Sequence, residues 1–240
     1  MKRDYSLFVT SNDQMRLPSG DAYIQKHMAG VIIAGQTDED YVASFLSQNI
    51  PVVVLNNLIE MEGLPCITVD NYHGAKEAAS YLIEKGHRRI GLLAGRFSPR
   101  IYAERYQGYV DALTDAGIPL DTGIVWELDA NEKQAEARTS ELLHMENRPT
   151  ALLCTNDTIA VGAVKAVLRS GLRVPEDLAI IGFDDSIVCR VIEPELTTVR
   201  IDSYRLGELA AELLFRLIDG ETLQEDRITI STELIVRGTT

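Results

Sequence analysis

Polar side chains follow two apolar runs in the C-terminal half of the sequence. Asn156 comes shortly after the run that ends at Cys154, and Asp184 and Asp185 follow the run that ends at Gly182. Carboxylate and amide oxygens accept hydrogen bonds from hydroxyl groups, which suits a polyhydroxylated small molecule. Because ligands of open α/β sheets bind at the carboxyl ends of parallel strands, the sequence predicts a binding site here.

Two further polar residues occupy comparable places in the N-terminal half. Asp70 follows a predicted strand at 67–69, and Arg105 lies on a predicted helix after Gly95. A guanidinium donates hydrogen bonds in a fixed fork, which also suits a polar ligand. Asp70 and Asn156 are equally good helix N-caps, so capping and ligand contact stay open as alternatives for both, and both can hold.

The sequence contains none of the common catalytic or nucleotide-binding motifs. It has no GxSxG elbow, no HExxH, no GxxxxGK[ST] loop and no GxGxxG. Asp184 and Asp185 form an acidic pair, but adjacent residues need not point at one ligand, and a metal site needs further carboxylates at a defined spacing. We therefore expect a protein that is not an enzyme and that holds neither a cofactor nor a metal.

The composition is that of an ordinary soluble protein. The 240 residues are 45% hydrophobic and 25% charged, with a net charge of -13. An acidic surface repels phosphate backbones, which argues against direct nucleic-acid binding by this chain. No apolar run approaches the roughly 20 residues of a membrane span, and no signal region opens the sequence, so we expect a cytoplasmic protein without a membrane partner.

The three cysteines, Cys66, Cys154 and Cys189, are far apart and form no CxxC pair. Their odd number and the apolar runs around Cys66 and Cys154 favour buried free thiols over metal or redox chemistry.

Strand-like and helix-like runs alternate along the chain, which predicts an α/β fold with mostly parallel sheets. Ten strand candidates exceed the usual number of about 4–6 per sheet, so two sheets are favoured. The predicted strands are 5–9, 30–34, 51–55, 67–69, 90–94, 123–128, 151–154, 178–182, 197–201 and 227–236. The predicted helices are 38–48, 71–84, 99–116, 132–146, one between Ile159 and Gly171, and 204–218, with a weaker candidate at 17–26.

Several ordered motifs point to one family. They include Val69-Asp-Asn, Lys85-Gly-His-Arg-Arg-Ile-Gly, Arg105-Tyr-Gln-Gly-Tyr, Thr155-Asn-Asp and Gly171-Leu-Arg-Val-Pro-Glu-Asp-Leu-Ala-Ile-Ile-Gly-Phe-Asp-Asp. Together, from about residue 5 to residue 238, the chain resembles the effector-binding and dimerisation part of a LacI/GalR-type bacterial transcriptional regulator.

This resemblance implies a periplasmic-binding-protein-like fold, with two doubly wound parallel-sheet subdomains and a ligand cleft between them. It implies that residues 1–95 and 201–220 form the N-terminal subdomain, and that residues 96–200 and 221–240 form the C-terminal one. It carries ligand contacts to Arg105, Asn156, Asp184 and Asp70, and it implies a homodimer.

Three departures from the family pattern stand out. The chain begins at the family's second strand, so a first strand–helix unit is expected to be missing. The helix-turn-helix headpiece and hinge are also expected to be absent, which leaves DNA binding to a headpiece outside this chain. Ala130 stands where many relatives carry an aromatic that stacks on the ligand, and the nearby Trp126 is expected to belong to the core.

The favoured function is therefore effector sensing, in which a sugar-like metabolite changes how two subunits are oriented and so modulates DNA binding. The alternative is a periplasmic-type sugar-binding protein that serves transport, and a third class is an α/β hydrolase or transferase. The sequence leaves the effector, its action as inducer or corepressor, and the target genes open.

Overall fold

The computed structural model describes residues 5–9, 28–35, 37–57, 59–96, 100–129, 131–223 and 226–240. The contacts within the chain divide it into two compact units. Unit 1 consists of Met1–Ile67 and Gly207–Ile228, and unit 2 consists of Thr68–Leu206 and Thr229–Thr240. The helix predicted at 17–26 and the residue Ala130 lie outside the described residues.

The described residues form an α/β structure with two sheets, which confirms the predicted fold class. The strands are β1 Val31–Ala34, β2 Val52–Leu55, β3 Cys66–Val69, β4 Ile90–Gly95, β5 Val125–Leu128, β6 Ala151–Cys154, β7 Ala179–Asp184, β8 Thr197–Arg200, β9 Arg227–Ile230 and β10 Glu233–Ile235. The helices are α1 Glu39–Leu46, α2 Asn71–Glu84, α3 Arg100–Asp115, α4 Glu132–Leu143, α5 Asp157–Arg169 and α6 Ser203–Ile218.

The six-stranded sheet of unit 2 has the order β10-β8-β7-β6-β4-β5. All neighbouring pairs are parallel except β10 and β8, which are antiparallel. Buried strands with helices on both faces explain the near-continuous apolar runs of β4, β6 and β7. One face of this sheet packs on α2 and α3, and the other packs on α4 and α5.

The four-stranded sheet has the order β1-β2-β3-β9, and β1 and β2 pair in parallel. Its core joins Val42 and Phe45 of α1 to apolar residues of β2 and to Cys66 of β3. Side chains of β1 alternate between half-buried and exposed positions, so this strand is covered less completely than β2.

The observed division of the chain differs from the predicted segments. The resemblance implies that β4 belongs with residues 1–95 to the first subdomain, but β4 pairs with β5 and β6 in the six-stranded sheet. Helix α2 belongs to the same unit because it packs closely against α3. The predicted strand 227–236 is two strands, of which β9 joins the first sheet and β10 joins the second.

The strand predicted at 5–9 is wrong. These residues form no strand, and Leu7, Phe8 and Val9 are exposed. Apolar composition alone does not make a strand, because its backbone N–H and C=O groups need a neighbouring edge to pair with. Within unit 1, Tyr5 packs on α6, since its ring centroid lies 5.3 Å from that of Phe215.

The prediction of buried free thiols is confirmed, since Cys66, Cys154 and Cys189 are all buried and unpaired. Burial raises the pKa of all three thiols. They are therefore poor nucleophiles, because the thiolate is the reactive form.

Helices α2 and α3 approach each other at Gly108. A Cβ atom built there would lie 2.2 Å from the carbonyl oxygen of Tyr72 and 2.9 Å from the amide nitrogen of Lys76. Both atoms belong to the backbone of α2, so neither can move without shifting the helix. A glycine is therefore required for this packing distance.

We expect Gly108→Ala to lower the free energy of unfolding of unit 2 by about 2–3 kcal/mol, because the added methyl group overpacks a contact between two backbones. Trp126 is the only tryptophan of the chain and lies in β5, so its fluorescence during urea titration reports on unit 2. The matched control is Gln107→Ala on the exposed face of the same helix, expected to change stability by less than about 0.5 kcal/mol. Equal stability of the two variants would contradict the prediction.

Candidate functional site

The carboxyl ends of β4, β6 and β7 lie side by side in the sheet of unit 2, in the order β7-β6-β4. Thr155 ties two of these ends together, because its hydroxyl oxygen accepts a 2.9 Å hydrogen bond from the backbone nitrogen of Gly95. The predicted site residues Asn156 and Asp184 stand at this edge, and Arg105 reaches it from α3.

Arg105 is buried, with only 2% of its surface exposed. Its Nε donates to the side-chain oxygen of Asn71 at 2.9 Å, and its Nη1 donates a short hydrogen bond to the carbonyl oxygen of Thr155. The guanidinium carbon lies 3.6 Å from the ring centroid of Phe183, as in a stacked cation–π contact. Nη1 also lies 3.4 Å from Oδ1 of Asp184. Arg105 is thus a fixed positive charge behind the carboxylate.

Asp184 is the accessible member of this pair, since 41% of its side chain is exposed. Partial burial raises its pKa to about 6, Arg105 opposes that rise, and the negative charge of Asp157 adds to it. Its backbone φ of 117° is unusual for a residue with a side chain. The structure therefore brings Arg105 and Asp184 together, as the resemblance implied, and leaves the carboxylate available to a hydroxyl donor.

Asn156 is the N-cap of α5, because its side-chain oxygen accepts a 2.8 Å hydrogen bond from the backbone nitrogen of Ile159. Capping, one of the two alternatives for this residue, is thereby confirmed. The residue is half-buried at the same strand edge as Asp184, so ligand contact through its amide stays a prediction.

Asp70 is the N-cap of α2. Its carboxylate accepts from the backbone nitrogen of His73 at 3.1 Å and lies 2.8 Å from Nδ1 of the same residue. Among the described residues, no hydrogen bond or ion pair joins Asp70 to Arg105 or Asp184. The neighbouring residue Asn71 is hydrogen-bonded to Arg105 instead. Of the two residues in the Asp70-Asn71 motif, it is therefore the second that joins the site.

Two further residues, Asn71 and Tyr102, belong to the site in addition to the four predicted ones. The sequence offers Asn71 beside Asp70 as a polar residue after the strand at 67–69, but it gives no sign of Tyr102. Asn71 is buried and donates from Nδ2 to the carbonyl oxygen of Val69 and, at 3.3 Å, to Glu104. Tyr102 lies flat on Gly95, since a Cβ atom there would fall 2.5 Å from its ring, and the ring centroid lies 6.0 Å from the guanidinium carbon of Arg105. An aromatic side chain therefore stands near the guanidinium of Arg105.

The acidic pair of the sequence is split between two roles. Asp184 faces Arg105, whereas the carboxylate of Asp185 pairs with Arg200 at 2.8 Å and with Arg237 at 2.5 Å.

Within the described ranges, no three His, Cys, Asp or Glu side chains are grouped so that they could hold a metal ion. Nor does any helix of those ranges have the length and apolar character of a membrane span.

Substitution of Asn156 tests its role as the N-cap of α5. We expect Asn156→Ala to lower the free energy of unfolding by about 1 kcal/mol, because the amide of Ile159 loses its acceptor. Asn156→Asp keeps the acceptor and should unfold as the wild type does in urea, followed by Trp126 fluorescence. A loss of stability in Asn156→Ala no larger than in Asn156→Asp would contradict the capping role.

The chain resembles known regulators over nearly its whole length. Residues 79–240 match the family model of a periplasmic binding protein-like domain. The HTH-type transcriptional repressor PurR of Actinobacillus pleuropneumoniae is 33% identical over 242 residues, which cover 98% of this chain and 72% of that protein.

Solved structures agree with these sequence matches. A regulatory protein of the LacI family from Chloroflexus aggregans superposes with a TM-score of 0.86 at 31% identity, over 97% of this chain and 84% of that one. The transcriptional regulator CelR in complex with cellobiose has a TM-score of 0.82 at 32% identity, over 91% of this chain and 68% of that one. These relatives are transcriptional regulators and not enzymes, as expected from the sequence. The chain therefore belongs to the LacI family of transcriptional regulators and has the periplasmic-binding-protein-like fold of their effector domains.

Proposed function

We propose that this chain senses a small polar effector, a sugar or a related molecule, and thereby modulates DNA binding by a helix-turn-helix headpiece in the cytoplasm. The observation that carries the proposal is the Arg105–Asp184 pair. It offers an accessible carboxylate at a strand end, backed by a buried guanidinium that cannot lose its charge.

The charge of the site favours a neutral, hydroxyl-rich effector over an anionic one. The exposed group is a carboxylate, whereas the compensating positive charge of Arg105 is buried behind it. A hydroxyl can donate to the carboxylate, but a phosphate or a carboxylate ligand would meet repulsion from Asp184 and from a chain of net charge -13. A related regulator binds cellobiose, a molecule of this chemical class.

The alternative function, sugar binding for transport, gains no support from the relatives, which are repressors and regulators of transcription. Effector binding controls such a protein only if the effector has different affinities for two of its states. We propose that Asp184 and Asn156 contact the effector and that Arg105, which is buried, acts by holding the Asp184 carboxylate. Asp70 supports the site by capping α2.

Asp184→Asn should weaken effector binding by about 10- to 100-fold, because a charge-assisted hydrogen bond is replaced by a neutral one. A thermal-shift panel of cellobiose, monosaccharides, sugar phosphates and nucleobases identifies the binder, and calorimetry then gives the affinity. Asp177→Asn is the matched control, since Asp177 pairs with Arg173 away from the site.

The same calorimetry at several pH values checks the role of the carboxylate. Hydroxyl donors bind the ionised form of Asp184, whose pKa is about 6. The wild-type affinity should be highest above pH 7 and fall as the pH drops below 6, by about 10- to 100-fold in all, as the carboxylate is protonated. Asp184→Asn should lack this dependence. An unchanged affinity in Asp184→Asn would remove Asp184 from the site.

The turn that follows β7 offers an apolar surface for a homodimer. Ile187 and Val191 are 76% and 74% exposed. Between and beside them, Val188, Cys189 and Ile192 pack into the core of unit 2, so the turn is anchored and the two exposed side chains are held outward. Large contiguous apolar patches mark protein interfaces, and we propose that these two side chains belong to such a patch in the homodimer that the family resemblance implies.

Ile187→Asp is therefore expected to convert a homodimer into a monomer in sedimentation velocity, because a charge would be buried in the interface without a partner. Leu168→Asp, another exposed apolar position, is the control and should leave the sedimentation coefficient unchanged. A dimer that persists in Ile187→Asp would place the interface elsewhere.

A further inference from the structure

Three arginines surround the carboxylate of Asp185, and we call them the arginine clamp. Arg200 lies 2.8 Å from it, Arg237 lies 2.5 Å away, and Arg190 lies 3.3 Å away. Only 3% of the Asp185 side chain is exposed. Burial alone would raise the pKa of Asp185, but hydrogen bonds from Arg200 and Arg237 outweigh it and hold that pKa below its ordinary range.

The arginines of the clamp also bond to residues in or next to the neighbouring strands. Arg237 also donates to the carbonyl oxygen of Leu196 at 2.7 Å, just before β8. Arg200 is the last residue of β8 and lies 3.3 Å from Glu233 on β10. The carboxylate of Asp185 is therefore fixed to the β8–β10 edge of the sheet.

The backbone next to the clamp has an unusual conformation. Asp184 has a φ of 117° and Asp185 a φ of 52°, so two consecutive residues with side chains lie in the region that favours glycine. Such residues persist where the surrounding structure holds them, and they cluster at functional sites. The direction in which the Asp184 carboxylate points depends on this backbone.

Further hydrogen bonds hold the same turn from the other side. The buried carboxylate of Asp157 accepts from the backbone nitrogen of Ser186 at 2.7 Å and from the hydroxyl of Thr198 at 2.6 Å. The backbone nitrogen of Asp185 lies 3.4 Å from the Thr198 hydroxyl. The turn is thus fixed by two buried carboxylates, of which only Asp185 is held by arginines.

Asp184 is linked directly to the segment that leaves β8. Asp184 and Arg200 are register partners in the parallel pair β7–β8, and the backbone nitrogen of Ile201 lies 3.5 Å from the carbonyl oxygen of Asp184. Residues after Ile201 lead into α6, along which the chain passes from unit 2 to unit 1.

We propose that Asp185 and its arginine clamp are positioning residues that hold the Asp184 carboxylate beside Arg105 and connect it to the segment leading into α6. This inference rests on the proposed function in one respect only, namely that Asp184 binds the effector. The geometric part, that the clamp sets the place of Asp184, does not depend on any effector.

The effector-independent test is an NMR titration of the Asp184 carboxyl carbon in the full chain, assigned with Asp184→Asn. In Arg200→Gln, the loss of a nearby positive charge would by itself raise the pKa of Asp184. Release of the carboxylate from its half-buried place near Arg105 and Asp157 would instead lower that pKa toward about 4. The proposal expects a fall of about one pH unit or more, whereas a rise or no change would overturn it.

Three controls make this sign test specific. Arg200→Lys keeps the charge and should shift the titration less than Arg200→Gln. Arg173→Gln breaks an exposed ion pair in the same unit and should leave the titration unchanged. If Arg200→Gln does not fold, as judged by Trp126 fluorescence, the same titration is made on Arg237→Gln. The proposal again expects the pKa of Asp184 to fall, and a rise or no change would overturn it.

The effector arm uses calorimetry with cellobiose. If Asp185 acts through Asp184, Arg200→Gln weakens cellobiose binding about tenfold, and Asp184→Asn with Arg200→Gln binds no more weakly than Asp184→Asn alone. Additive losses would overturn the positioning role. If cellobiose does not bind the wild type, the failure concerns the choice of effector, and the NMR titration still decides on the clamp.

Discussion

The buried guanidinium of Arg105 is the constraint on which the candidate site depends. A guanidinium keeps its charge, so its donors must be satisfied inside the protein. Asn71 at the start of α2, the carbonyl of Thr155 after β6, and Asp184 at the end of β7 supply the acceptors. Three elements must therefore meet α3, and Gly108, three residues further along that helix, permits the close approach of α2.

Polar residues at the starts of α2 and α5 cap these helices and also hold the turn after β7. Asn156 and Asp70 cap α5 and α2, and Asp157, the first residue of α5, holds the turn after β7. A side chain that is already ordered by capping loses little further freedom when it contacts a ligand, which favours binding. Capping and ligand contact are therefore compatible roles for one side chain.

The sequence predicted what is encoded locally. Nine of the ten predicted strands correspond to observed strands, and the last of them, 227–236, contains both β9 and β10. The buried strands are recognisable because burial on both sheet faces requires apolar runs. Sheet membership was not encoded in this way, since the run of β4 would look the same in either sheet. The clamp at Asp185 was also invisible, because its arginines lie 5, 15 and 52 residues away in sequence and are brought together only by β8 and the segment after β10. The sequence could not show that Asn71 rather than Asp70 contacts Arg105, because that depends on which residue caps α2 and which begins it.

The segment at 5–9 has a consequence for the behaviour of the protein in solution. Leu7, Phe8 and Val9 are exposed, Ile32 of β1 is exposed, and no strand of the described ranges pairs with the outer edge of β1. An open sheet edge and exposed apolar side chains in the same unit are features that let copies of a chain pair their strands and aggregate. Colloidal instability of this protein should therefore originate in unit 1 and grow with concentration, whatever the state of the effector site.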